Sequence, residues 1–192
     1  LLVPQEAQAN ALVPGASKVE LLVATTRSSA EAKPGELFSG ERARGLAFAD
    51  IAISIPPESA RKIGEIQWPD RVQGNPATDF VTLRADRIEK DDAIQLFNEK
   101  LAKTPGRQVL LFVHGYNTRF EEAVYRFAQI IHDSKSNVTP VLFTWPSRGK
   151  LLAYTYDRES ANYSRDALEA VLQAMVKNPK VGEISILAHS MG

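Results

Sequence analysis

Three short apolar runs, at residues 109–113, 141–144 and 183–188, constrain the fold of this chain more than any other feature. None of them alternates polar with apolar residues, so each is expected to be a strand buried on both faces. Between the first two, Phe120, Val124, Phe127, Ala128 and Ile131 recur at helical spacing. Between the second and third, residues 157–177 read as one long helix with Ala161, Leu168, Val171, Leu172 and Met175 on one side, stopped by Asn178-Pro179. An order of β-α-β-α-β with connections this long predicts an α/β fold: a mostly parallel, doubly wound sheet flanked by helices with right-handed crossovers. A shorter helix precedes the series. Ile94, Phe97 and Leu101 form its stripe, Asp91 and Asp92 are its cap candidates, and Pro105-Gly106 closes it.

Residues 18–90 are strand-rich, and with the core at 107–192 they make one domain, 18–192. Strands are expected at 19–25, at 50–55, where Ile51, Ile53 and Ile55 share a face, around Ile63, Ile66 and Trp68, and at 80–83. Pro56-Pro57 ends the second, and residues 33–45, with three Gly, one Pro and five charges, are expected to be a long loop. Residues 1–17, with Pro4, Pro14, Gly15 and no period, read either as a flexible tether behind a removed leader or lipid anchor, or as a frayed end. The chain opens on Leu1, not Met, so a start codon, and with it a leader under the first reading, is expected to have been removed or left out.

Composition excludes several partners. Lys plus Arg and Asp plus Glu both number 23 and are interspersed, so there is no cationic footprint for nucleic acid. The longest apolar run is five residues, against roughly 20 for a membrane span. The absence of cysteine removes disulfides, thiolate metal sites and Cys nucleophiles together. No Gly-rich loop follows any expected strand, which argues against a nucleotide-binding domain.

The chemistry concentrates at the carboxyl ends of the apolar strands. Ala188-His189-Ser190-Met191-Gly192 follows the third run directly. A sharp strand-to-helix turn that presents a nucleophilic Ser needs small residues two before and two after it, and Ala188 and Gly192 meet that limit, although Gly is usual at the first position. Val113-His114-Gly115-Tyr116-Asn117 ends the first run and is expected on the same rim. There the backbone N–H groups of Met191 and of Tyr116, or a neighbour, would form an oxyanion hole, with Gly115 freeing the backbone to turn. His114 is expected to organise this loop, and Asn117 to supply a side-chain donor or cap the helix that follows. Trp145 and Ser147 are candidates for the pocket wall. Tyr154, Tyr156 and Asp157-Arg158-Glu159 are expected to open the long helix near this rim and to serve either substrate contact or helix capping. His189 points away from Ser190 and is expected to be packed and hydrogen-bonded, and His132 to be structural at a helix C-terminus.

Four ordered motifs carry a resemblance: 112–117, 140–149, 156–161 and 187–192, with Ala24-Thr25-Thr26-Arg27 and residues 63–69 upstream. Over about 18–192 they resemble the bacterial α/β-hydrolase family catalogued as DUF900, described as esterase- or lipase-like. The resemblance implies an α/β-hydrolase fold, a nucleophile at Ser190 and, for members with a leader, a bacterial envelope or periplasmic location, lipid-anchored or not, over the cytoplasm, and names no substrate.

In that fold the acid and the His follow the Ser in chain order, and here nothing follows Gly192. A Ser without a base is a weak nucleophile. The chain is therefore expected to be the first part of a longer enzyme, truncated after the elbow, inactive alone, and lacking the later strands that would cover the strand at 183–188, which is left exposed. The complete protein would be a serine hydrolase of carboxylic esters, taking a small-molecule ester or acyl substrate, with no metal or organic cofactor implied. The alternative is a non-catalytic envelope binding or scaffold protein that keeps the hydrolase fold.

Overall fold

A computed structural model describes residues 2, 12–30 and 35–192. Most of the expected 1–17 tether, and positions 33 and 34 of the expected loop, lie outside these; within the tether Leu2 is buried.

Among the described residues one six-stranded mixed sheet forms, in the order β3-β2-β1-β5-β4-β6. The strands are β1 (Ser17–Ser29), β2 (Phe38–Ile55), β3 (Val81–Ile88), β4 (Gln108–Val113), β5 (Thr139–Thr144) and β6 (Glu183–Ala188). β1, β5, β4 and β6 run parallel, while β2 and β3 pair antiparallel at one side. The helices are α1 (Lys90–Ala102), α2 (Phe120–Asp133), α3 (Tyr154–Tyr163) and α4 (Arg165–Lys177).

Helices cover both faces, as a parallel sheet requires. The α2 stripe, Phe120, Val124, Phe127, Ala128 and Ile131, is buried against Leu21, Val23, Ile51 and Ile53. On the other face Phe97 and Leu101 of α1 and Met175 of α4 pack with Val109, Leu111, Val141 and Phe143. Full burial of each such side chain stabilises by roughly 1.5–3 kcal/mol.

Four expectations are corrected. Residues 38–45 are strand, not loop: β2 is 18 residues long and pairs with β1 as far as Ser29↔Phe38. Gly40 belongs there because a Cβ at that position would lie 2.8 Å from the Ser147 carbonyl oxygen, so the glycine marks a close approach. Residues 63–68 form no strand; β1 and β3 already take both edges of β2, and Ile63 is 83% exposed. The helix at 157–177 is two helices that begin at Tyr154 and divide at Ser164, whose hydroxyl donates to Ser160 O. In α1 the residue before the helix is Glu89, with no side-chain cap; Asp91 and Asp92 lie in the first turn, and buried Ala93 takes the place of exposed Ile94. The exposure expected of the 183–188 strand is found: β6 is an edge strand among the described residues, with Ile186 and Leu187 exposed.

Candidate functional site

Strand register builds the site. Val113 of β4 is paired with Ala188 of β6 and with Phe143 of β5, so the residues that follow each strand emerge side by side on one rim. β5 and β6 lie on opposite sides of β4, with α2 on one face of the sheet and α4 on the other. Such a reversal leaves a crevice at the strands' carboxyl ends.

Ser190 stands at that rim with φ 56°, a left-handed conformation unusual for a non-glycine residue. The turn is closed by His189 N–H donating to Val113 O at 3.0 Å and Gly192 N–H donating to His189 O at 2.9 Å. The steric limits inferred from sequence have a structural counterpart at Gly192, where a Cβ would lie 2.4 Å from Val113 O. Gly115 is as confined: its Cβ would come within 2.9 Å of Ser190 Cβ and 2.8 Å of His189 Nδ1. The His114 loop is therefore pressed against the Ser190 turn.

That loop is fixed from below. His114 is buried and stacks on Trp145 with ring centroids 4.8 Å apart. Its Nδ1 lies 2.8 Å from Gly115 O; its Nε2 lies 2.8 Å from Thr144 Oγ1 and accepts from the Trp145 backbone N–H. These contacts assign the proton to Nδ1. Burial, with the Arg27 charge adding to it, pushes the imidazole down to about 3, so it is neutral at physiological pH.

Two buried polar side chains, Arg27 and Asp157, brace the loop. Arg27 donates through Nη2 to Thr118 O, through Nη1 to Ser147 O and Ser39 O, and through Nε to Thr144 Oγ1. Burial lowers its pKa to about 10, against the opposing pull of Glu121 and Asp157, and it stays charged. Asp157 accepts from Asn117 N–H at 2.9 Å, from Ser147 Oγ at 2.5 Å and from Arg148 N–H at 3.0 Å. Ser147 Oγ in turn accepts from Thr118 N–H. Asn117 N–H, Thr118 N–H and Thr118 O are thus all engaged. The N–H groups of Tyr116 and Met191 make no hydrogen bond among the described residues.

Several site expectations change. Asn117 does not cap α2: Arg119 precedes the helix, no side chain caps it, and Asn117 instead takes φ 58°. Asp157 neither caps nor opens a helix toward solvent; it is wholly buried and ties two loops together. Trp145, 1% exposed, supports His114 rather than facing a cavity. Ser147 does line a cavity of about 790 Å³, beside Arg27, Arg148 and Tyr156. His189 is exposed, not packed, and lines a groove of about 800 Å³ with Gly115, Trp68 and Leu187, whose walls do not include Ser190. His132 lies in the last turn of α2, as expected. The sequence reading missed Arg27 as a brace. Its signal was a charge within β1, just beyond the apolar run at 21–24 and toward the end where the candidate loops emerge.

No helix among the described residues is long and apolar enough to cross a membrane. No solved structure matches the chain. An uncharacterized protein of Nostoc sp. (strain PCC 7120), alr1448, is 28% identical over an alignment of 141 residues that covers 60% of this chain. The chain spans 36% of that relative's length. The model of an α/β hydrolase family of unknown function, DUF900, matches residues 89–192, which is narrower than the resemblance drawn from sequence and leaves out β1, β2 and β3. That match takes in more than half of the chain, both candidate loops and the helices α1 to α4, and the chain belongs to this α/β hydrolase family.

Proposed function

We propose that the protein to which this chain belongs is a serine hydrolase of carboxylic esters, with Ser190 as nucleophile. The observation that carries the reading is the left-handed Ser190 at the end of β6, set against the tightly packed Gly115 loop. Ser190 Oγ attacks the acyl carbon as a base takes its proton. The developing oxyanion accepts from Met191 N–H and Tyr116 N–H, both free of protein acceptors among the described residues. Collapse expels the alcohol, which takes the proton back, and water then hydrolyses the acyl-enzyme.

His114 is not the base, since both of its ring nitrogens are engaged. Its role, like that of Gly115 and Asn117, is to shape the loop. No imidazole hydrogen-bonds Ser190 among the described residues, so the reading requires a base and an acid from outside them. A whole protein without a His to pair with Ser190 would instead be a binding or scaffold protein that keeps the hydrolase fold.

Turnover separates the two. The whole protein is expected to hydrolyse 4-nitrophenyl esters, and Ser190→Ala to lower kcat by on the order of 10⁴-fold or more with the fold intact by circular dichroism. Absence of turnover with esters, thioesters and amides alike would favour the binding protein.

A further inference from the structure

A second cavity lies away from the rim, between α1 and α4 on the sheet face opposite α2. It has a volume of about 520 Å³, within the range of small-molecule sites. Its floor is the sheet, at Leu22, Ala24 and Val141, and its sides include Phe97, Val171 and Met175. No acidic residue lines it. The polar groups on its walls are Asn98 and Asn178, joined to each other by a 2.8 Å hydrogen bond, and the three lysines Lys90, Lys177 and Lys180. None of those lysines has an ion-pair partner among the described residues.

A helix, about 10 Å across with its side chains, is too wide a body for this volume over more than a turn or two. A neutral apolar ligand would make no use of the lysines. We infer that this cavity binds a long-chain aliphatic carboxylate, its chain against Phe97, Val171 and Met175 and its head near Lys177 and Lys180. Met175 suits such a ligand, because an unbranched thioether adapts to a flexible chain. The inference does not rest on the reading of Ser190.

Dodecanoate is the probe, titrated by calorimetry below its micelle concentration into the whole protein. Saturable binding with one site is expected, unchanged in Ser190→Ala. Ala174 is an exposed residue of the cavity wall, so Ala174→Trp fills the site without disturbing the core and is expected to abolish binding. The double variant Lys177→Glu, Lys180→Glu is expected to bind dodecanoate about tenfold more weakly and dodecanol as the wild type does. Two results would overturn the inference. One is dodecanoate binding that is absent or survives Ala174→Trp; the other is a dimer in sedimentation that Ala174→Trp dissociates, which would make the cavity an interface between copies.

Discussion

The two loops that meet at the rim are held in opposite ways. The His114 loop is anchored by buried polar groups: a neutral imidazole, a guanidinium spread over three carbonyls and a hydroxyl, and a carboxylate that accepts two backbone N–H groups and a hydroxyl. The Ser190 turn is exposed, follows an edge strand, and is shaped by two backbone hydrogen bonds and by the space denied to any side chain at Gly115 and Gly192. One half of the site is rigid because polar groups are satisfied; the other is strained because there is no room. Buried networks fail when a partner is removed, and steric turns fail when an atom is added.

The largest effect follows from cutting the network at its centre. Arg27→Met leaves the Thr118, Ser147 and Ser39 carbonyls without that donor and is expected to cost about 3 kcal/mol or more in urea unfolding. A loss below about 1 kcal/mol would break the contrast between the two loops. Acid tests the same side. His114 titrates near 6.5 unfolded and about 3 folded, so between these values the unfolded chain binds more protons. Stability is therefore full above about 6.5 and falls as pH drops toward 3, by on the order of a few kcal/mol. His114→Gln is expected to flatten that slope, and an unchanged slope would assign it to the carboxylates.

On the steric side Gly115→Ala adds one carbon between the loops and is expected to cost about 1–3 kcal/mol. Its signature is a drop in kcat of the whole protein with KM nearly unchanged, because the added atom meets Ser190 and His189 directly. The smallest effect belongs to the open edge. Ile186→Thr on β6, where Ile186 is 55% exposed, is expected to change the stability of this 192-residue chain by less than about 0.5 kcal/mol.

The same contrast governs what was legible in the sequence. Apolar period revealed β4, β5, α2 and the order of the parallel core, because those elements bury a repeating face. The small residues around Ser190 and the glycine after His114 were legible because steric exclusion leaves few choices of residue. The polar brace was not. Arg27 and Asp157 lie 130 positions apart, and a charged residue becomes a buried anchor only through the carbonyls and N–H groups that the fold brings to it. The long β2 strand was hidden for a related reason: its charged, glycine-containing first half pairs with β1, and Arg42 there lies over the Tyr156 ring while its Nε bonds Ser160 Oγ.

The most direct measurement is to treat the whole protein with a fluorophosphonate and map the modified residue by mass spectrometry. The account predicts a single adduct on Ser190, formed more slowly in Gly115→Ala and absent in Ser190→Ala. No adduct, under conditions that label a known serine hydrolase completely, or an adduct on another serine, would contradict it.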